Sequence, residues 1–173
     1  MKLEIKHIKK SFGENQILKD ISFDMGQGKV YALMGTNGSG KTTLFNILTG
    51  FFKPENGLIL FNNKSILNQE PYLINTNGIS RTFQDLRLIE ELTVKENVML
   101  SFQNQEGEKW RKALLPKNNY KTEQTKYTNI TNEILQETFI REVENQKAGE
   151  ISYGQQKLLT LACCIANNAD LFF

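Results

Sequence analysis

Eight consecutive residues, Gly35-Thr36-Asn37-Gly38-Ser39-Gly40-Lys41-Thr42, have the types and the order to handle a polyphosphate. They satisfy G-x-x-x-x-G-K-[ST] at every fixed position. Gly35, Gly38 and Gly40 let the backbone fold round an anion with several N–H groups pointing inward, and Asn37 and Ser39 complete the loop. The short apolar segment Lys29 to Met34 reads as a strand entering the loop, and an amphipathic helix starting at Lys41 leaves it. The N-terminus of that helix adds partial positive charge at the same place. Lys41 can reach the β- and γ-phosphates, the Thr42 hydroxyl is placed to ligate Mg²⁺, and Thr43 could donate to a phosphate nearer the base. A glycine-rich turn before an ordinary helix is the bland alternative, but it does not call for all of these positions in order. The segment reads as a nucleoside triphosphate site.

Which base is bound is a separate question. A guanine-reading N-K-x-D loop has its nearest counterpart in Asn63-Lys64-Ser65-Ile66, which lacks the aspartate, and no D-x-x-G string occurs. Phe12, after Lys9-Lys10-Ser11, offers an aromatic face on which a purine could stack. A stacking ring tolerates several purines, so Phe12 favours ATP without selecting it. A lone aromatic is more often core than platform, and both readings stand at this point.

A second group of residues, Ile151-Ser152-Tyr153-Gly154-Gln155-Gln156-Lys157, lies just before the last amphipathic helix. Ser152 alone is an ordinary helix N-cap. The segment Ile151 to Gln155 resembles the Leu-Ser-Gly-Gly-Gln signature of the nucleotide-binding subunits of ATP-binding cassette (ABC) transporters. Ser152, Gly154 and Gln155 match, while Ile151 and Tyr153 depart from it. The form with Tyr in the third place is similar to the subfamily serving branched-chain amino acid importers. Ser11-Phe12-Gly13 resembles the family's adenine-stacking region. Arg81-Thr82-Phe83-Gln84, followed by Glu91-Leu92-Thr93-Val94-Lys95-Glu96-Asn97-Val98, resembles its Q-loop and the start of its helical subdomain. The likeness runs over essentially the whole chain and is weakest at 103–125.

The resemblance implies a P-loop NTPase fold: a RecA-like α/β core with an antiparallel β subdomain and a helical subdomain. Residues 1–84 and 152–173 would belong to the core and 85–151 to the helical part. It implies ATP with Mg²⁺ as ligands, and a homo- or heterodimer of nucleotide-binding subunits arranged head to tail. In that arrangement Ser152, Gly154 and Gln155 of one copy face the γ-phosphate held by the other. Gln84 would contact Mg²⁺ or the attacking water and relay that state to membrane permease subunits. The chain would lie in the cytoplasm, peripheral on the inner face of the membrane, with no nucleic-acid partner. A soluble member of the superfamily acting on ribosomes or DNA, and a module that binds nucleotide without turnover, are the competing readings.

Phosphoryl transfer also needs a metal-linked Asp and a residue that positions water. In the resembled family both follow a strand of the kind that begins at Leu171-Phe172-Phe173, so Asp170, which precedes it, is not assigned that role. The 173 residues are therefore expected to be the front portion of a cassette, incomplete at the C-terminus. On that expectation they bind ATP weakly, do not hydrolyse it at a useful rate, and leave apolar sheet surface uncovered.

The elements that must position these residues alternate between strand and helix. Leu3, Ile5 and Ile8 give rough strand alternation, and Leu18 to Met25 reads as a second strand with Ile21 and Phe23 on one face. Leu44, Ile47 and Leu48 mark the helix after the loop, closed by Gly50. The turn Pro54-Glu55-Asn56-Gly57 leads into the strand Leu58 to Phe61. A strand is expected at Ile79 to Phe83, a helix at 94–102, a polar, mobile excursion at 103–125, and helix again near Ile130, Ile134 and Leu135. The last helix, from about Tyr153, places Leu158, Leu161, Ala162 and Ile165 on one face. Alternating strands and helices argue for an α/β fold with a parallel sheet.

Composition excludes several classes. Hydrophobic residues at 39%, charged residues at 23% and a net charge of +2 describe an ordinary globular chain rather than a disordered one. The two cysteines, Cys163 and Cys164, are adjacent and fit neither a disulfide framework nor metal-ligand spacing. His7 is the sole histidine, which excludes multi-histidine metal sites. Met1-Lys2-Leu3-Glu4 alternates charge and lacks a signal-peptide core. The longest near-apolar run, Leu158 to Ala166, falls well short of the roughly 20 residues of a spanning helix.

Overall fold

The computed structural model describes residues 2–82, 88–103 and 120–173. Gln84 and Phe83 lie outside the described residues, as do residues 104–119 of the polar excursion. The chain divides into two compact units, Met1–Ile79 with Phe173, and Ser80–Phe172.

The first unit is built on a four-stranded antiparallel sheet of order β2-β1-β3-β4. Its strands are β1 (Lys2–Phe12), β2 (Asn15–Gly26), β3 (Asn56–Phe61) and β4 (Lys64–Ser65). The rough alternation of β1 has a physical cause. His7 adopts a left-handed φ of 53°, and the β1–β2 register shifts between Ile5 and Ile8. This bulge inserts a residue, so Leu3, Ile5 and Ile8 all point inward and are fully buried, while His7 is turned out toward Asp20. Gly57 faces the bulge at φ +113°, where a Cβ would fall 2.6 Å from the Lys6 carbonyl oxygen and 2.8 Å from that of His7. Only glycine fits there.

The Asn63-Lys64 string has a structural role. Asn62 and Asn63, at φ 49° and 64°, form the tight hairpin turn between β3 and β4. Helix α1 (Lys41–Leu48) buries Leu44, Ile47 and Leu48. It closes at Gly50, whose φ of +80° and close neighbour, the Gln69 carbonyl oxygen, exclude a side chain. A short helix, α2 (Pro71–Thr76), follows.

The second unit packs α3 (Val94–Leu100), α4 (Tyr120–Glu137), a 3₁₀ turn at Arg141–Val143 and α5 (Tyr153–Ala166). Val94, Val98, Leu135, Ile140, Ala148, Leu159 and Ala162 are fully buried in their common core. The two-residue strands β5 (Ile79–Ser80) and β6 (Leu171–Phe172) form a sheet of their own.

Four expectations from local pattern are corrected. Residues 29–36 are not a strand, and Val30 and Met34 are 101% and 88% exposed. A strand exists only where its backbone is paired. Among the described residues no ladder takes this segment, and Tyr31 instead turns back so that its hydroxyl accepts the Gly26 N–H at 2.8 Å. The strand expected at Ile79 to Phe83 is limited, among the described residues, to Ile79–Ser80. The segment read as mobile to residue 125 is already helical from Tyr120. Finally, α5 buries Leu159, Ala162, Cys164 and Ala166 and leaves Leu158 and Leu161 exposed. Its apolar residues span more than one face, and packing against α3 and α4 keeps Ala162 but selects Leu159 and Ala166, a side turned about 100° from the one Leu158 and Leu161 mark.

Candidate functional site

The phosphate loop lies in the first unit, between the end of β2 and α1. Gly38 and Gly40 have φ of 80° and 89°, left-handed values that a side chain would strain. A Cβ on Gly35 would fall 2.6 Å from the Ser39 Oγ. One on Gly40 would fall 2.7 Å from Leu18 Cδ2, so the loop's C-terminal end is pressed against β2. Ser39 N–H donates to the Thr36 carbonyl at 3.2 Å, closing a turn inside the loop.

Lys41 folds back over this ring. Its Nζ donates to the carbonyl oxygens of Gly35 at 2.8 Å and Thr36 at 2.7 Å. The ammonium is thus held at the loop by two weak acceptors that a phosphate oxygen can replace. The first intrahelical bond of α1 is Leu44 N–H to Gly40 O, at 2.9 Å. The N–H groups of Lys41, Thr42 and Thr43 therefore have no partner within the helix. The N-cap Gly40 supplies no side-chain cap, and the first turn carries no acidic residue. Residues Tyr31 to Ser39 are exposed. A cation, unpaired amides, a helix N-terminus and glycines that leave room for close approach fit a polyphosphate. Thr42, in the first turn of α1, is exposed beside the loop.

Phe12 ends β1 and is 45% exposed, so it is not core. The Phe52 ring meets it at 5.5 Å in an edge arrangement, and the Lys10 ammonium lies 5.2 Å from its centroid. Strand pairing relates it to the β2 residue that packs on the loop. Lys10 pairs with Leu18, the residue against Gly40, and Phe12 is two residues further along β1, about 7 Å. The ring and the phosphate loop thus share one region of the first unit.

Ser152, Gly154 and Gln155 lie together at the start of α5 in the second unit. Ser152 is the N-cap: its Oγ accepts the Gln155 N–H at 3.3 Å, and Gln155 Oε1 accepts the Ser152 N–H at 2.9 Å. This reciprocal capping box fixes both side chains locally. Ile151 is buried in the unit's core, so its departure from Leu keeps an apolar anchor. Tyr153 is exposed, with the Lys157 ammonium 4.7 Å from its ring centroid. Gly154 is the informative residue. A Cβ built on it meets nothing within 4 Å. Nothing within the described chain requires glycine there, although glycine weakens a helix.

Asn97 has a structural role that the resemblance of the 91–98 segment does not assign. Buried at 6% exposure, it accepts the Ile89 N–H at 2.9 Å and donates to the carbonyls of Ile89, Thr93 and Leu92 at 3.0, 3.0 and 3.3 Å. It pins residues 89–93, which in turn bond to residues 148–149 just before Ile151. Its signal was a polar residue between the apolar Val94 and Val98 of a helix. The adjacent cysteines are free thiols, and burial pushes Cys163 up to about 11.

Comparison with known proteins follows the same lines. A family model described as ABC transporter matches residues 18–173. The chain is 36% identical over 169 residues to the probable branched-chain amino acid transport ATP-binding protein LivG of Methanocaldococcus jannaschii, covering 98% of this chain and 65% of that protein. It is 33% identical over 171 residues to the ribose import ATP-binding protein RbsA of Shouchella clausii, covering 99% of this chain and 32% of that one. The chain thus spans less than two thirds of the length of either relative. Among solved structures, an ATP-binding cassette of an ABC transporter in its ADP conformation matches with TM-score 0.78 and 32% identity, over 99% of this chain and 67% of that one. A nucleotide-free ATP-binding cassette from an ABC transporter matches with TM-score 0.77 and 33% identity, over 99% and 68%.

Proposed function

Because the chain belongs to the ABC transporter family and has the fold of its P-loop ATP-binding cassettes, we propose that it binds ATP as the energy-coupling part of an importer. The observation that carries this reading is Lys41, held 2.8 and 2.7 Å from two loop carbonyls beside the unpaired amides that open α1. In this reading Lys41 leaves those carbonyls for the β- and γ-phosphates. Gly35, Asn37, Gly38, Ser39 and Gly40 surround them, Thr43 takes a phosphate nearer the base, and Phe12 stacks on the adenine. Thr42 and, by resemblance, Gln84 hold Mg²⁺, which when bound neutralises charge on the phosphates.

The start of α5 serves a second ATP, carried by a partner cassette. Ser152, Gly154 and Gln155 are exposed or half-buried at a helix N-terminus whose first turn has no acidic residue. The open space at Gly154 supports this role, because it lets a phosphate oxygen approach the backbone from outside the chain. ATP then joins two cassettes, and its loss separates them. Gln84 and residues 85–151 would pass that cycle to membrane permease subunits, with the cassette on the cytoplasmic side of the membrane. No helix among the described residues is long and apolar enough to cross a membrane.

Amino acids are the cargo class we favour, on the Tyr153 form of the signature and the likeness to LivG. A sugar importer is the second reading, supported by the likeness to RbsA. Equilibrium titration with Mg-ATP tests the central claim: Lys41→Ala should weaken binding at least about tenfold, the scale of a lost charge-assisted contact. Equal affinity of the two proteins would remove it. Co-purification with a permease, as against ribosomes, then separates transport from the soluble alternatives.

A further inference from the structure

The residues round Phe12 form a clasp that neither the loop motif nor the family likeness assigns. The Ser11 backbone N–H donates to Glu55 Oε1 at 2.7 Å, and the Ser11 hydroxyl donates to Glu55 Oε2 at 3.2 Å. The Glu55 N–H in turn donates to the Lys9 carbonyl at 2.9 Å. One residue of the 54–57 turn therefore ties to β1 through its backbone at Lys9 and through both carboxylate oxygens at Ser11. Charge-assisted bonds of this kind are short and directional. They fix the chain at the step before Phe12, where β1 turns into β2 through Gly13 at φ +60°.

The same connection holds the ring from a second side. Phe51 and Phe52 N–H groups donate to the Asn46 carbonyl at 2.8 and 3.1 Å, so the chain leaving α1 is fixed where Phe52 meets Phe12 edge-on. The helix that begins at the phosphate loop thus ends in the segment that orients the aromatic ring. An exposed aromatic at a strand end would otherwise sample several rotamers, and stacking would have to order it first.

We propose that Glu55 is a positioning residue for the nucleotide base: by clamping Ser11 it presets Phe12 for stacking on a purine. This deepens the ATP reading and rests on it. Glu55 touches neither base nor phosphate in this scheme. It acts on affinity through the ring alone, so ligands without a base are indifferent to it.

The test compares Mg-ATP with inorganic tripolyphosphate, titrated calorimetrically into the 173-residue chain and its variants. Glu55→Ala should weaken ATP about threefold to tenfold, a fraction of the stacking contribution, and leave tripolyphosphate within about twofold. Glu55→Gln, which can still accept the Ser11 N–H, should restore most of the ATP affinity. Adding Glu55→Ala to Phe12→Ala should cost nothing further, because the ring it positions is gone. Equal losses for both ligands, no loss for either, or full additivity with Phe12→Ala would overturn the proposal. Failure of the ATP reading looks different: tripolyphosphate would not bind the wild-type chain, or Lys41→Ala would leave its binding unchanged. That result removes the premise and this inference with it.

Discussion

Replacing Gly154 by Ala should strengthen the chain while weakening its association, a combination that few structural roles produce. Gly154 is the second residue of α5, and an added Cβ meets no atom within 4 Å. The steric cost is therefore nil, and what remains is the backbone preference, about 0.5–1 kcal/mol in favour of Ala in a helix. With a urea m-value of about 1.5–2 kcal/mol/M, that raises the midpoint of the second unit by roughly 0.25–0.7 M. Hydrogen exchange at the α5 amides, followed through a urea titration, isolates that unit from the first. Association moves the other way. The methyl occupies the space through which a phosphate oxygen of the partner's ATP would reach the backbone. ATP-dependent association, measured by sedimentation, should fall at least about tenfold, the equivalent of one lost charge-assisted contact. A lower urea midpoint would mean that the chain itself needs this glycine. A raised midpoint with undiminished ATP-dependent association would refute close approach at Gly154.

Other perturbations separate the remaining claims. Asn97→Ala strands the Ile89 N–H in a part-buried site, while the Ile89, Leu92 and Thr93 carbonyls keep the N–H groups of Leu92, Ala148 and residue 97; it should cost about 1–3 kcal/mol of second-unit stability in urea unfolding, and under about 0.5 kcal/mol would contradict the pinning role. The Glu96 carboxylate accepts the Thr93 N–H, and secondarily its hydroxyl, which holds it below the usual carboxylate range. Its contribution is complete above the unfolded pKa and is lost as pH falls through the lowered folded one, so Glu96→Gln should flatten the acid limb of a stability-pH curve. Burial pushes the Cys163 thiol up to about 11, so iodoacetamide at pH 8 should label it slowly until denaturant is added; prompt labelling of the native chain counts against that burial.

The helix boundaries were legible wherever a local chemical signal marks them. Ser152 caps α5 and Gly50 closes α1 because capping and positive φ depend on a few adjacent residues. The phosphate loop was legible for the same reason: its motif is contiguous, and of the two glycines it demands, Gly40 sits at left-handed φ and Gly35 lies where a Cβ would crowd the Ser39 hydroxyl. What failed depended on distant partners. The apolar string Val30 to Met34 has strand composition, yet composition supplies no neighbouring strand. The apolar residues of α5 span enough of the helix that α3 and α4 must choose between Leu158 and Leu159. The turn at Pro54 was visible, but its Glu55 carboxylate has no meaning until β1 lies beside it.

Phe12 shows the division most plainly. The sequence by itself determined that an aromatic stands after Lys10 and Ser11, upstream of a complete phosphate loop, and left core and platform both open. Tertiary structure removed the core reading, because the ring is 45% exposed. Strand pairing places the ring at the exposed end of β1, where Phe52 meets it edge-on and the Glu55 carboxylate, remote in sequence, accepts the N–H of the preceding Ser11. A contiguous motif encodes chemistry through local backbone geometry. The placement of an isolated side chain is an outcome of register and packing, which only the folded chain defines.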